Sequence, residues 1–250
     1  MTGSARPAQA LHSAGDVWIV DLATETAALL AVHGSRALLT EPEQARAERF
    51  VDAAQRGRWV AAHTALHLVL TDRIGHPISF EQPSATAKPR VAGWSGDFSL
   101  THTGELVLIA VRDDGMIGVD AEVRRSVRMS AQRRALIEIA GAAVLTDVAL
   151  PEGDPDLRFL AAWTRLEAIG KLRATGIGAL LETLGIIASG PGADAVAERA
   201  RALVSDPAQP IGLFGIDVSR FNGVATLAAS PGASPPRIHH LSLQNGRLRG

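Results

Sequence analysis

The chain has 250 residues, 46% hydrophobic and 20% charged, enough apolar material for one large domain or two small ones. Its formal net charge of -1 argues against bulk attraction to nucleic acid or an anionic membrane, while leaving room for a local basic pocket. Without cysteine there is no disulfide, thiolate nucleophile or thiolate-held metal, so any metal must be held by carboxylate, histidine or water, which favours a hard cation. The first residues are polar and small with no signal-peptide pattern, and no apolar run is long enough to cross a membrane, so a cytoplasmic protein is expected.

In chain order, the first ten or so residues are expected to be disordered, and Val17 to Leu22 reads as a short strand. Pro42 announces a helix that runs from Glu43 to Arg73, with Gly57 expected to break it in two. Arg46, Arg49, Arg56, Arg58 and His63 fall in this region. Thr86 to Val91 is a loop entering a strand, because Pro89 biases Lys88 toward extended geometry. Phe98 to Thr103 alternates, Gly104 turns the chain into the apolar run Leu106 to Val111, and Asp114-Gly115 makes a second turn. Three strands in a meander are therefore expected, with Asp120 two strands away from Thr101 and His102. His102, taken by itself, reads as a polar turn residue.

The third of these strands, Met116 to Val123, carries two carboxylates. Residues two apart on a strand share a face, so Asp120 and Glu122 present their oxygens side by side and repel unless a cation joins them or solvent screens them. A basic patch follows (Arg124, Arg125, Arg128, Arg133, Arg134), then a helix through Ala143 and a loop over Pro151 to Asp156. Leu157 to Ala174 reads as another helix, ended by Gly176 and Gly178. Glu167 and Lys171 lie four apart on it, a spacing that also suits an ordinary helix-surface ion pair. Leu180 to Ala188, Ile211 to Val218 and Val224 to Ala228 read as strands, the last two joined by an Asn222-Gly223 turn. The tail from Pro231 is expected to be peripheral.

Three segments in order, Phe98-Ser-Leu-Thr-His-Thr-Gly104, Ile117-Gly-Val-Asp-Ala-Glu122 and Trp163-Thr-Arg-Leu-Glu-Ala-Ile-Gly-Lys171, with Lys88-Pro89 before them, resemble the 4'-phosphopantetheinyl transferase superfamily. The likeness is to its large, surfactin-synthetase-activating type and covers residues 46 to 178. It implies an α+β fold of two similar lobes, each an antiparallel sheet plus helix, in pseudo-twofold arrangement. The lobes would comprise residues 1–114 and 115–250 with the active site in the cleft between them. It further implies transfer of the 4'-phosphopantetheine arm of coenzyme A to a serine of an apo acyl or peptidyl carrier protein, by a magnesium-dependent monomer.

Carried over residue by residue, Asp120, Glu122 and Glu167 form the magnesium ligand set and Glu167 is the base for the serine. Lys171 meets the diphosphate, and Lys88, Thr101, His102 and His63 contact coenzyme A. Arg46 and Arg49 are further basic contacts, and Arg124, Arg125 and Arg128 are candidates for docking an acidic carrier. Three positions depart from the family. Leu166 replaces a lysine, which reads as a cation missing beside the diphosphate, with Arg165 or Arg173 as possible substitutes. His63 replaces an arginine, losing the fixed fork and permanent charge. Ala121 replaces a branched residue on the face away from the carboxylates. These departures keep open a non-catalytic coenzyme A or carrier-protein binding module. A generic magnesium-dependent phosphohydrolase shares the carboxylates but gives Lys88 and His102 no role.

Overall fold

The computed structural model describes residues 13–82, 87–187, 192–231, 234–244 and 246–249. The expectation of a disordered N-terminus, and the end positions Thr86 and Ala188 of two expected segments, lie outside them. The described residues form a mixed α+β structure with seven α-helices and several small, mainly antiparallel sheets.

Strand β1 (Asp16–Asp21) runs directly into helix α1 (Leu22–Arg36), whose N-cap Asp21 accepts a bond from the Ala23 N–H. The sequence reading stopped at the strand and missed this helix. Thr40 and Glu43 form a capping box that starts α2 (Glu41–Ala47), and Asp52 caps α3 (Ala53–Ile74). The break expected at Gly57 therefore falls earlier, at residues 48–52. Gly57 is inside α3, where the pull of Asp52 on the Gln55 N–H fixes the start. Short strands β2 (Phe80–Glu81) and β3 (Arg90–Val91) pair with each other.

Strands β4 (Asp97–Thr103) and β5 (Leu106–Arg112) form the expected hairpin around Gly104, which has φ 57°. The third strand, β6 (Met116–Val123), does not complete a meander. After Gly115, at φ 97°, it joins a second sheet with β8 (Gly223–Ser230) and β7 (Gly212–Gly215), in the order β6-β8-β7. The first sheet has the order β4-β5-β1-β9, and β9 (Arg237–His240) comes from the tail expected to be peripheral. Asp16 explains that difference. It is buried at the edge of β1, accepts two bonds from the Arg237 guanidinium at 2.8 and 2.7 Å, and meets His239 Nε2 at 2.7 Å, so the tail satisfies a carboxylate that water does not reach. Strands β10 (Ser242–Gln244) and β11 (Arg247–Arg249) then form a small hairpin.

Helices α4 (Ala131–Val144), α5 (Pro155–Leu172), α6 (Gly176–Leu184) and α7 (Ala193–Val204) follow β6. Residues 180–187 are thus not strand. Gly176, expected to stop one helix, also begins the next, and Leu180, Leu181 and Leu184 pack into the helical core at helical spacing. Helix α7 was not anticipated. Residues 216–222, which include a 3-10 turn over Ser219–Phe221, lead to Asn222 at φ 50°, and Gly223 opens β8.

Alternation along the strands builds four layers. Val17, Ile19, Leu106, Leu108 and Ala110 of the first sheet face Ile117, Val119, Ala121, Leu227 and Ala229 of the second in one shared apolar layer. The other face of the first sheet, with Val20, Val107 and Ile109, packs on α1 and α3. The other face of the second lies against α5, which with α4, α6 and α7 forms the largest core cluster. Buried on both faces, β5 is uniformly apolar from Leu106 to Val111.

Candidate functional site

The two sheets meet where β4 and β6 run side by side in the same direction, joined by side-chain bonds between residues nineteen or twenty apart. Side chains replace a backbone ladder along this seam. Ser99 Oγ accepts from the Val119 N–H at 3.0 Å, and Asp97 Oδ2 accepts from the Ile117 N–H at 2.9 Å. Thr101 Oγ1 donates to Asp120 Oδ1 at 3.0 Å. Asp120 is therefore Thr101's direct neighbour rather than two strands away. The hairpin pattern fixed β6 as a strand but carried no information about which sheet it joins.

Gly118 and Asp120 share the face of β6 that meets α5. A Cβ on Gly118 would come within 2.5 Å of Leu172 N and closer still to Ala168 O, so only glycine allows α5 to lie this near the strand. That approach brings Lys171 Nζ to 2.8 Å from Asp120 Oδ1. Lys171 thus pairs across to the sheet, and the helix-surface pair with Glu167 is not formed. Asp120 is 4% exposed, and its Oδ2 is buried without a hydrogen-bond partner. Burial pushes its carboxyl up to about 6, the Lys171 ammonium opposes that rise, and the Glu167 carboxylate adds to it. Glu167 is half-buried and enters no hydrogen bond or ion pair among the described residues. Glu122 is held by Arg125, at 2.9 Å from Nη2 and 3.2 Å from Nε.

Beside this cluster lies a cavity of about 550 Å³. One wall comes from β4 and the end of α5, with Phe98, Ser99, Leu100, Gly170 and Lys171, together with Lys88 of the preceding loop. The other comes from α2 and α3, with Thr40, Glu43, Arg46, Trp59, His63 and Leu66. Lys88 Nζ donates to Asp97 Oδ2 and to the Ile117 carbonyl, both at 2.6 Å, which clamps its loop to the seam. Burial lowers its pKa against the pull of Asp97.

His63 stacks on Trp59 with ring centroids 3.6 Å apart, and its Nδ1 lies 3.0 Å from the Trp59 carbonyl. Burial pulls its pKa down to about 4, so near neutral pH it presents an uncharged ring. Burial also pushes on Glu43, upward, but the bonds from His67 and Thr40 outweigh it and hold the carboxyl below its usual range.

Of the coenzyme A contacts expected from sequence, Lys88, His63 and Lys171 line the cavity, while Thr101 and His102 do not. Thr101 is committed to Asp120, and His102, on the same face of β4 as Phe98 and Leu100, lies past the end of the cavity, exposed near the Arg58 to Glu105 ion pair. Neither arginine considered as a substitute for the missing lysine approaches the site. The Arg165 guanidinium donates to carbonyls at and beyond the end of α4 (Gly141, Leu145, Val148), and Arg173 donates to the Leu203 carbonyl of α7. Leu166 itself is fully buried in the helical core, so its side chain does not face the cavity. In the basic patch, Arg124 is paired with Asp154 and Arg134 with Asp156 and Glu138, whereas Arg128 and Arg133 are exposed and make no ion pair among the described residues.

Glu43 and Trp59 were missed as cavity residues; His67, which does not line the cavity but holds Glu43 in place, was missed as well. The capping-box spacing of Thr40 and Glu43, and the four-residue spacing of Trp59, His63 and His67, were the signals that could have found them.

For a divalent cation the fit is partial. Asp120 Oδ2 and the unpaired Glu167 suit a hard cation, while Glu122 is claimed by Arg125; among the described residues no three acidic or histidine side chains converge as a ready ligand set. No helix among the described residues is long and apolar enough to cross a membrane. No protein-family model matches the chain, and no curated protein matches it.

Proposed function

We propose that the protein transfers the 4'-phosphopantetheine arm of coenzyme A to a serine of an apo acyl or peptidyl carrier protein. The observation that carries this reading is the junction itself, where the buried Asp120, the free Glu167 and the amines of Lys171 and Lys88 meet beside one cavity. The two-lobed pseudo-twofold arrangement belongs to the same reading, supported by the helix-on-sheet pairs either side of the shared core.

Asp120 and Glu167 would hold a magnesium ion, which when bound supplies charge neutralisation for the diphosphate. Lys171, placed at both Asp120 and the cavity, holds the diphosphate and favours departure of the bisphosphate. Glu167, one turn earlier on α5, takes the proton of the attacking serine hydroxyl. Asp97 and Thr101 fix Lys88 and Asp120 so that neither must be ordered when substrate arrives.

Specific contacts also favour a second reading, a binding module without transfer activity: Lys171 occupies Asp120, Arg125 occupies Glu122, and His63 is uncharged. Incubation with apo carrier protein, coenzyme A and magnesium, followed by mass spectrometry of the carrier, separates the two. Transfer should appear and fall by about 100-fold or more in Glu167→Gln and Asp120→Asn, with the fold retained. Binding of coenzyme A without transfer to any of a panel of carriers would select the module.

A further inference from the structure

The wall of the cavity built from α2 and α3 differs in chemistry from the wall that carries the two lysines. Glu43 uses one oxygen, Oε2, for all its internal bonds, accepting from the Thr40 N–H at 2.8 Å and the Thr40 hydroxyl at 2.7 Å and meeting His67 Nε2 at 2.9 Å. Its Oε1 has no partner among the described residues, although Glu43 lines the cavity. A carboxylate only accepts hydrogen bonds, so a ligand that displaces solvent from this oxygen must bring a donor. His63 adds a second acceptor. With Nδ1 against the Trp59 carbonyl, the proton of the neutral ring sits on Nδ1 and leaves Nε2 as a lone pair. Trp59 and His63, stacked on each other and both lining the cavity, supply a rigid flat surface beside these acceptors.

We infer that this wall reads the amino group of a planar heteroaromatic ring, with Glu43 as the specificity-determining residue. The inference rests on the reading of the cavity as a nucleotide site, and it adds which ring that site prefers. An ionised phosphate offers no donor and is disfavoured at Glu43. A ring bearing a carbonyl oxygen where adenine bears its amine sets acceptor against acceptor. The diphosphate of such a ligand goes to Lys88 and Lys171 on the other wall.

The test is calorimetric titration of the full chain with adenosine diphosphate, inosine diphosphate and coenzyme A, repeated on Glu43→Gln. The glutamine keeps an oxygen for Thr40 and His67, preserves the capping box, and offers an amide donor to the inosine carbonyl. The wild type should bind the adenosine compound at least about tenfold more tightly, the cost of leaving one buried acceptor unpaired. In the variant the two affinities should converge to within about twofold, with the fold retained, because the new donor removes that mismatch. Equal wild-type affinities, or a preference that survives in the variant, would overturn the inference while leaving the nucleotide site standing. Failure of coenzyme A and both diphosphates to bind would remove the nucleotide site itself and this inference with it.

Discussion

Lys171 Nζ lies 2.8 Å from Asp120 Oδ1, so the lysine that helix spacing pairs with Glu167 instead neutralises a carboxylate on another element. The pair joins α5 to β6 and sets the electrostatics of the junction. Lys171→Met should leave Asp120 buried without its cation, lowering stability by about 2–4 kcal/mol in urea unfolding. The double variant Asp120→Asn/Lys171→Met should recover much of that loss, since removing both partners leaves no stranded charge. A double variant no more stable than Lys171→Met alone would show that the pair contributes nothing by charge.

Leu166→Lys, the change that would complete the resemblance seen in the sequence, should not raise the proposed transfer activity. The side chain is wholly buried among apolar residues of the helical core, and an unpaired ammonium there should cost at least about 3 kcal/mol. Chemical denaturation gives the answer directly. A well-folded variant with faster transfer would mean that the lysine finds the cavity from α5 after all.

His63 makes stability depend on pH with a definite sign. Its folded pKa of about 4 lies below the ordinary 6.5, so between these values the unfolded chain binds more protons. The contribution of His63 is therefore complete above 6.5 and lost as pH falls toward 4. The melting temperature should decline over this window more steeply in the wild type than in His63→Gln. The ring resonances of His63 in an NMR titration should move with a midpoint near 4.

Asp16 anchors the tail. Its carboxyl is held below the usual range although burial pushes it upward, because bonds from Arg237 and His239 and the nearby Arg73 outweigh that push. Asp16→Asn should weaken the attachment of β9 and cost about 2 kcal/mol of stability. Limited proteolysis should then cut near residues 234–244 while the rest of the chain stays protected. Unchanged protection would place the hold on the tail in Leu241 and the strand pairing instead.

Legibility followed locality. The β4–β5 hairpin and β6 were readable because alternation and glycine turns act over a few residues. The choice of sheet for β6 was not, since Ile117, Val119 and Ala121 present the same apolar face whether β6 continues the first sheet or opposes it. Leu180 to Ile186 is too short and too apolar for its period to decide between helix and strand. At the site, the residue types were legible and their partners were not. The Thr101 to Asp120 bond depends on the register between β4 and β6, and the departure of Arg165 and Arg173 from the site depends on where α4 and α7 end.

The pairing of β9 with β1 also bears on how the chain is made. Arg237 and Asp16 are 221 positions apart, so during synthesis the sheet around β1 stays open along that edge until residues 237–240 have left the ribosome. Strand β1 is then closed long after it is made, and a nascent chain stalled before residue 237 would carry an unprotected strand edge with a buried-type carboxylate on it.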